Sequence, residues 1–360
     1  MDVSENTGWN GSETINKKFL IKGIGEMKKT LTLISILFMG VFLAACGSSQ
    51  QSNDSDGGAT EDYTLRLGIT QNDQNAEYQA LLQFKERVEE RTDGAVKVET
   101  YHSDQLASVP DLIEQASVGT NVGTITDAAQ LGDLKKEFSI LQSPYMFDND
   151  EQINKLLDSD LFQGWVEDFN KQGLQVLAFN FRLGERNLAT KNKIESAQDL
   201  RGTVIRTSGA EIVNATVSAM GGSPTGMPWT EAYPSLQQGV IDGVEAHNSA
   251  IYGASMHEVI NHVAKTRHYL LVSSLVVSAD WFNSLPEEYQ TIVLEEAREA
   301  GEMASKIAAE DSEEFEQLMT DAGVEFHEVD REEFRELTLD VFEKIGLSDI
   351  REAVNEVINQ

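Results

Sequence analysis

The chain has 360 residues, with 28 Lys and Arg against 60 Asp and Glu, a net charge of -32, 40% hydrophobic residues and one cysteine. That apolar content is ample for two domains with proper cores and rules out a wholly disordered chain. The charge argues against general attraction to nucleic acid or an anionic membrane surface, and a single cysteine can close no intramolecular disulfide and build no cysteine-based zinc or iron–sulfur site.

In chain order, Lys28 and Lys29 precede an apolar run over 31–45, followed by Cys46 and Gly47. Fifteen residues are too few to span a bilayer as a helix but fit the core of an export signal with a basic flank. Leu43-Ala44-Ala45-Cys46 resembles the bacterial lipobox, so Cys46 is the expected lipidated residue and 1–45 the signal region. Glu26 and the polar residues before it are out of keeping with a signal, which makes Met27 the expected translation start. Loss of 1–45 takes away five lysines and four acids and leaves -33. Residues 47–60 hold no apolar side chain larger than alanine and read as a flexible tether, placing the folded body on the order of 20 Å from the lipid.

From Tyr63 the pattern alternates. Residues 63–69 carry apolar side chains at every second position, as a half-buried strand does, and 76–91 place Tyr78, Leu81, Leu82, Phe84 and Val88 at helical spacing. Asp93-Gly94 turns into a strand over 95–101; 112–118 reads as helix, 122–126 as strand, 153–172 as helical, and 174–181 as a strand covered on both faces. The alternation resumes with a strand at 202–206, helices at 211–220 and 233–238, and a strand at 240–244. This is an α/β grammar, and the length fits two such sheets. Ser284-Leu-Pro-Glu287 matches a capping box, after which helical character runs to about Ala322, interrupted only by Gly301. Such a helix is about 55 Å long, enough to bridge two lobes, and its glutamates read as a solvated face.

There is no nucleophile elbow, no Walker loop and no dinucleotide fingerprint, and the acids are too numerous to single out a general acid/base pair, so no enzyme reading finds a residue to stand on. His257 and His262 are five apart, about 140° off a common helical face, whereas zinc motifs need four; no metal or other cofactor is expected. The scarce arginines are more informative. Arg206 ends an apolar strand just before Ser208-Gly209, where open α/β sheets bind ligands, and a guanidinium matches a carboxylate in bidentate geometry. From spacing alone, a surface arginine paired with one of the many acids is the favoured reading of Arg206.

Gly184-x-Arg186, Asp199-Leu-Arg-Gly202-x-x-x-Arg206, Gly222-Ser-Pro-Thr-Gly-Met-Pro-Trp229-Thr-Glu231, Tyr233, Leu236-Gln237-x-Gly239-Val-Ile-Asp242-Gly-Val-Glu245 and Leu285-Pro286 together resemble the DctP-type substrate-binding proteins of tripartite ATP-independent periplasmic (TRAP) transporters, over 65–342. The resemblance implies an α/β fold with two periplasmic-binding-protein lobes, 61–183 plus 272–311 and 184–271 plus 312–360, and a long helix crossing both. It implies that Arg206 grips a ligand carboxylate, Arg186 adds a second cationic contact, Trp229 lines the pocket, Asp127 accepts from ligand hydroxyls, and Gln71 faces the cleft. The family's asparagine after Glu245 is Ala246 here, so the polar contact is expected to move to His247 or Asn248. The partners implied are a small organic acid, TRAP permease subunits, and the cell membrane through lipid on Cys46, outside the cytoplasm. The alternative reading is a binding protein of an ABC importer or a sensory receptor, which share the two-lobe architecture.

Overall fold

The computed structural model describes residues 63–359; the expected signal, lipidation site and tether lie outside them. The strands are β1 Tyr63–Gly68, β2 Val96–Tyr101, β3 Val122–Asp127, β4 Leu174–Glu185, β5 Asn187–Thr190, β6 Val204–Thr207, β7 Ser223–Gly226, β8 Gly243–Ala246, β9 His262–Lys265, β10 Leu270–Ser278 and β11 Glu325–Glu328. They form two sheets, ordered β2-β1-β3-β10-β4 and β11-β9-β5-β8-β6-β7. The first is parallel across β2, β1 and β3, and β10 is antiparallel to both β3 and β4. The second is parallel across β8, β6 and β7, with β5 antiparallel to β8 and β9. The chain passes between the sheets at Arg186, between β4 and β5, and again at residues 266–269, between β9 and β10.

Local chemistry sets the helix starts. Asn75 accepts from the Glu77 amide ahead of helix Ala76–Arg91, Ser108 caps Val109–Ser117 with Pro110 in the first turn, and Asp127 caps Ala128–Gly132. The expected helix over 153–172 is two helices, Asp150–Leu157 and Asp160–Asn170, because Ser159 breaks the run by accepting from the Phe162 amide. An aromatic cluster of Phe138, Phe162, Phe169 and Phe179, with ring centroids 5.1–5.7 Å apart, fills the core beneath β4.

The long helix is Glu287–Asp321, about 52 Å at 1.5 Å per residue. The capping box expected at Ser284 does not form. Leu285 precedes a proline and is held extended, so Ser284 instead closes the short helix Ala279–Ser284, donating to the Trp281 carbonyl at 2.6 Å, and the long helix begins only after Pro286. It packs on β4 and helix Ala76–Arg91 from the first sheet's side, and on helix Asn248–Gly253 and β11 from the second. β4 lies close to the helix at Gly301: a β-carbon there would sit 2.0 Å from Asn180 Oδ1. The glutamates do not all face water. Glu296 is buried, bonded to Arg91 at 2.8 Å and 3.6 Å from Arg87.

The end of the chain departs from the expected division at residue 311. Helix Ser348–Ile358 lies on helix Asp150–Leu157, and Val341, Phe342, Leu347, Val354 and Ile358 are buried in the core that contains Phe138. Ile350, Val354 and Ile358 form the apolar stripe of this helix.

Candidate functional site

The carboxyl ends of β1 and β3 face those of β6 and β8 across a cavity of about 450 Å³. Of the residues expected at a site, Gln71, Asp127, Arg186, Arg206, Trp229 and His247 all line it. Gly209 and Gly226 form part of its rim, where a β-carbon on Gly226 would stand 2.8 Å from Gly209 Cα, so only glycine permits this approach.

Arg206, on β6 between β7 and β8, is 6% exposed. Its Nε and Nη2 both donate to the Met227 carbonyl, at 3.0 and 2.8 Å, and its guanidinium carbon lies 5.0 Å from the Trp229 ring centroid. Among the described residues no carboxylate comes within 4.0 Å of it. Burial pulls its pKa down to about 10, with the Glu245 charge acting in the opposite direction, so it remains a cation at neutral pH. Met227 holds one edge of the fork and, among the described residues, the Nη1–Nη2 edge has no hydrogen-bond partner of its own. A buried charge in that state calls for a counter-ion.

Arg186 is the opposite case. Its Nε and Nη2 each donate to a Glu245 carboxylate oxygen at 2.7 Å, Nη2 also donates to the Glu245 carbonyl at 2.6 Å, and Nη1 donates to His247 Nδ1 at 3.2 Å. Four of its five N–H groups are therefore taken, leaving one for a ligand. Glu245 is fully buried and also accepts from Tyr269 Oη at 2.9 Å. Burial alone would raise its pKa, but Arg186 more than reverses this and keeps the carboxyl ionised. His247 sits in the same pocket. Burial, reinforced by the Arg186 charge, drops its pKa to about 3, so the ring is neutral; with Nδ1 accepting from Arg186, its N–H is at Nε2.

Asp127 faces the cavity, but its carboxylate also caps the following helix, taking the Gln130 amide and Gln130 Nε2 at 2.8 Å each. Asn248 does not reach the cavity. It begins helix Asn248–Gly253, and its side-chain amide donates to the Ser312 carbonyl of the long helix at 3.2 Å. Of the two, His247 lines the cavity and Asn248 does not. Glu77 was not expected: 9% exposed and, among the described residues, without a hydrogen-bond partner for its carboxyl, it lines the cavity, and burial, reinforced by Asp127, raises its pKa to about 8. The sequence did carry a signal, an acid at 77 in register with the apolar stripe Leu81, Phe84, Val88.

Two α/β sheets, strands crossing between them, a helix spanning both and a polar cavity at facing strand ends define a two-lobed solute-binding protein. A model of the DctP family, bacterial extracellular solute-binding protein family 7, matches residues 67–349, and the chain belongs to that family. The C4-dicarboxylate-binding periplasmic protein DctP of Rhodobacter capsulatus is 29% identical over 252 residues, 69% of this chain and 75% of the relative. Among solved structures, a TRAP periplasmic solute-binding protein from Escherichia fergusonii, in an apo open form, is 35% identical with a TM-score of 0.73. That alignment covers 82% of this chain and 99% of that one. One from Ochrobacterium anthropi with bound L-fuconate is 30% identical with a TM-score of 0.79, again covering 82% and 99%. The family is extracytoplasmic, and among the described residues no helix is long and apolar enough to cross a membrane.

Proposed function

We propose that this protein captures a small organic acid in the cavity and delivers it to TRAP permease subunits, binding its ligand without turning it over. The observation that carries this reading is Arg206, a buried guanidinium that lines the cavity and, among the described residues, has no acid partner. A carboxylate accepts two parallel N–H bonds from its Nη1–Nη2 edge, Arg186 adds its one remaining N–H, and His247 Nε2–H with Asp127 serves ligand hydroxyls. Closure of the lobes about the crossings near Arg186 and residues 266–269 excludes water and strengthens these contacts. The bound L-fuconate of the Ochrobacterium anthropi protein, a hydroxylated monocarboxylate, supports a sugar acid. A thermal-shift panel of sugar acids and C4-dicarboxylates beside their neutral aldoses tests this. Stabilisation of about 2.7 kcal/mol is expected at 100 times the dissociation constant of an acid and none with the aldoses, and equal response to both sets would sink the reading.

Glu77 adds a pH dependence. Below about 8 its carboxyl is protonated and can donate to the ligand; as pH rises through about 8 it ionises and places a negative charge beside the bound anion, next to Asp127 and near Arg186. Affinity is expected to fall between pH 7 and 9 in the wild type and to hold steady in Glu77→Gln. Calorimetry at both pH values checks this, and an identical decline in the two proteins would remove Glu77 from the account.

We further propose that lipid on Cys46 anchors the body to the cell membrane. The support is the lipobox-like Leu43-Ala44-Ala45-Cys46 and the polar stretch after it. Labelled palmitate should enter the wild type and not Cys46→Ala; incorporation in both would refute the anchor.

A further inference from the structure

At the edge of the second sheet, β9 and β11 run parallel with His262 beside Glu325 and His327 beside Ala264. Glu325 and His327 are two apart on one strand and share a face, so the pairing brings two imidazoles and a carboxylate together. One donor atom from each lies within 4.8 Å of the others. The protonation pattern suits a metal. His327 Nε2 lies 2.8 Å from the Ile194 carbonyl, which can only accept, so the proton is on Nε2 and the lone pair on Nδ1. That Nδ1 is buried without a hydrogen-bond partner, as is His262 Nδ1. Glu325 Oε2 stands 3.5 Å from His262 Nδ1, while Oε1 accepts from Lys193 at 2.7 Å, which orients the carboxylate without using the oxygen that faces the histidines. Metal sites commonly hold a ligating histidine by a backbone carbonyl on its other nitrogen and orient a ligating carboxylate by a hydrogen-bond donor, as Ile194 and Lys193 do here.

We infer that His262, His327 and Glu325 form a site for a borderline divalent transition cation of the zinc type, joining edge strand β11 to β9. Two imidazoles and one carboxylate suit such an ion better than calcium or magnesium, which take oxygen ligands. Tetrahedral zinc needs donor atoms roughly 3.4 Å apart, so the cluster tightens by side-chain rotation, with water in the fourth position. The partners of His262 are thus on a strand that begins more than sixty residues later, which is why its sequence neighbour His257 gave no motif; His257 instead stacks on Tyr252 at 4.7 Å.

The test is titration of the chelator-stripped chain with zinc against a chromophoric competitor. One zinc per chain is expected, with affinity reduced about tenfold or more in His262→Ala and in Glu325→Gln, and unchanged in His257→Ala. Glu325 is half exposed, so the Gln variant keeps its shape and far-UV dichroism confirms the fold. No retained zinc, or several weakly held ions whose affinity is the same in wild type, His262→Ala and Glu325→Gln, would overturn the site; the second result would mean diffuse binding by surface acids.

Discussion

Arg206→Ala is expected to weaken binding of the cognate acid by about 2–5 kcal/mol, the usual loss when one member of a buried charge pair is truncated. Among the described residues this guanidinium has no carboxylate within 4.0 Å, Met227 supplying a carbonyl and Trp229 a ring face, so the proposed ligand carboxylate would be its acid partner. Arg206→Lys should recover little, because an ammonium cannot present two parallel N–H groups to a carboxylate. The free protein should behave differently: Arg206→Met removes an unpaired buried charge, so its stability without ligand should hold or rise. Calorimetry gives the first quantity and chemical denaturation the second; unchanged affinity in Arg206→Ala would remove the residue from the binding account.

Glu245→Ala is expected to be the more damaging change to the fold, by about 3–5 kcal/mol, the cost of leaving a buried charge without its partner. Arg186 would lose its bidentate acceptor and Tyr269 its hydrogen-bond acceptor, at the crossing where the chain leaves β4 and re-enters β10. Glu245→Gln keeps the shape but loses the charge and should lie between. The measurement is urea unfolding of the unliganded protein. A loss below about 1 kcal/mol in Glu245→Ala would mean that Arg186 finds water or Asp127 instead. The two arginines therefore separate experimentally, one costing affinity and the other, through its partner, stability.

The sequence made the arginines legible because cations are scarce in an acidic chain and both sit near the ends of apolar runs. It could not separate their roles. That difference arises where β8 brings Glu245 beside Arg186 and leaves Arg206 facing Met227. Asn248 and His247 are sequence neighbours, yet the start of a helix turns one to the long helix and the other to the cavity. Glu77 was hidden by reading Tyr78 and Leu82 into the helical stripe when Glu77, Leu81, Phe84 and Val88 form the buried face. The alternating strands and the long helix followed from periodicity, whereas the reach of β10 did not. Its serines at 273, 274 and 278 are buried in a strand flanked by β3 on one side and β4 on the other, which no local pattern announces.

The most direct test of the central claim crosses two changes, Arg206→Met in the protein and carboxylate to carboxamide in the ligand, with all four affinities measured by calorimetry. A guanidinium that grips the carboxylate predicts strong coupling, at least about 2 kcal/mol, with the amide bound alike by both proteins. Losses that simply add would contradict it and place the ligand's carboxylate elsewhere in the cavity.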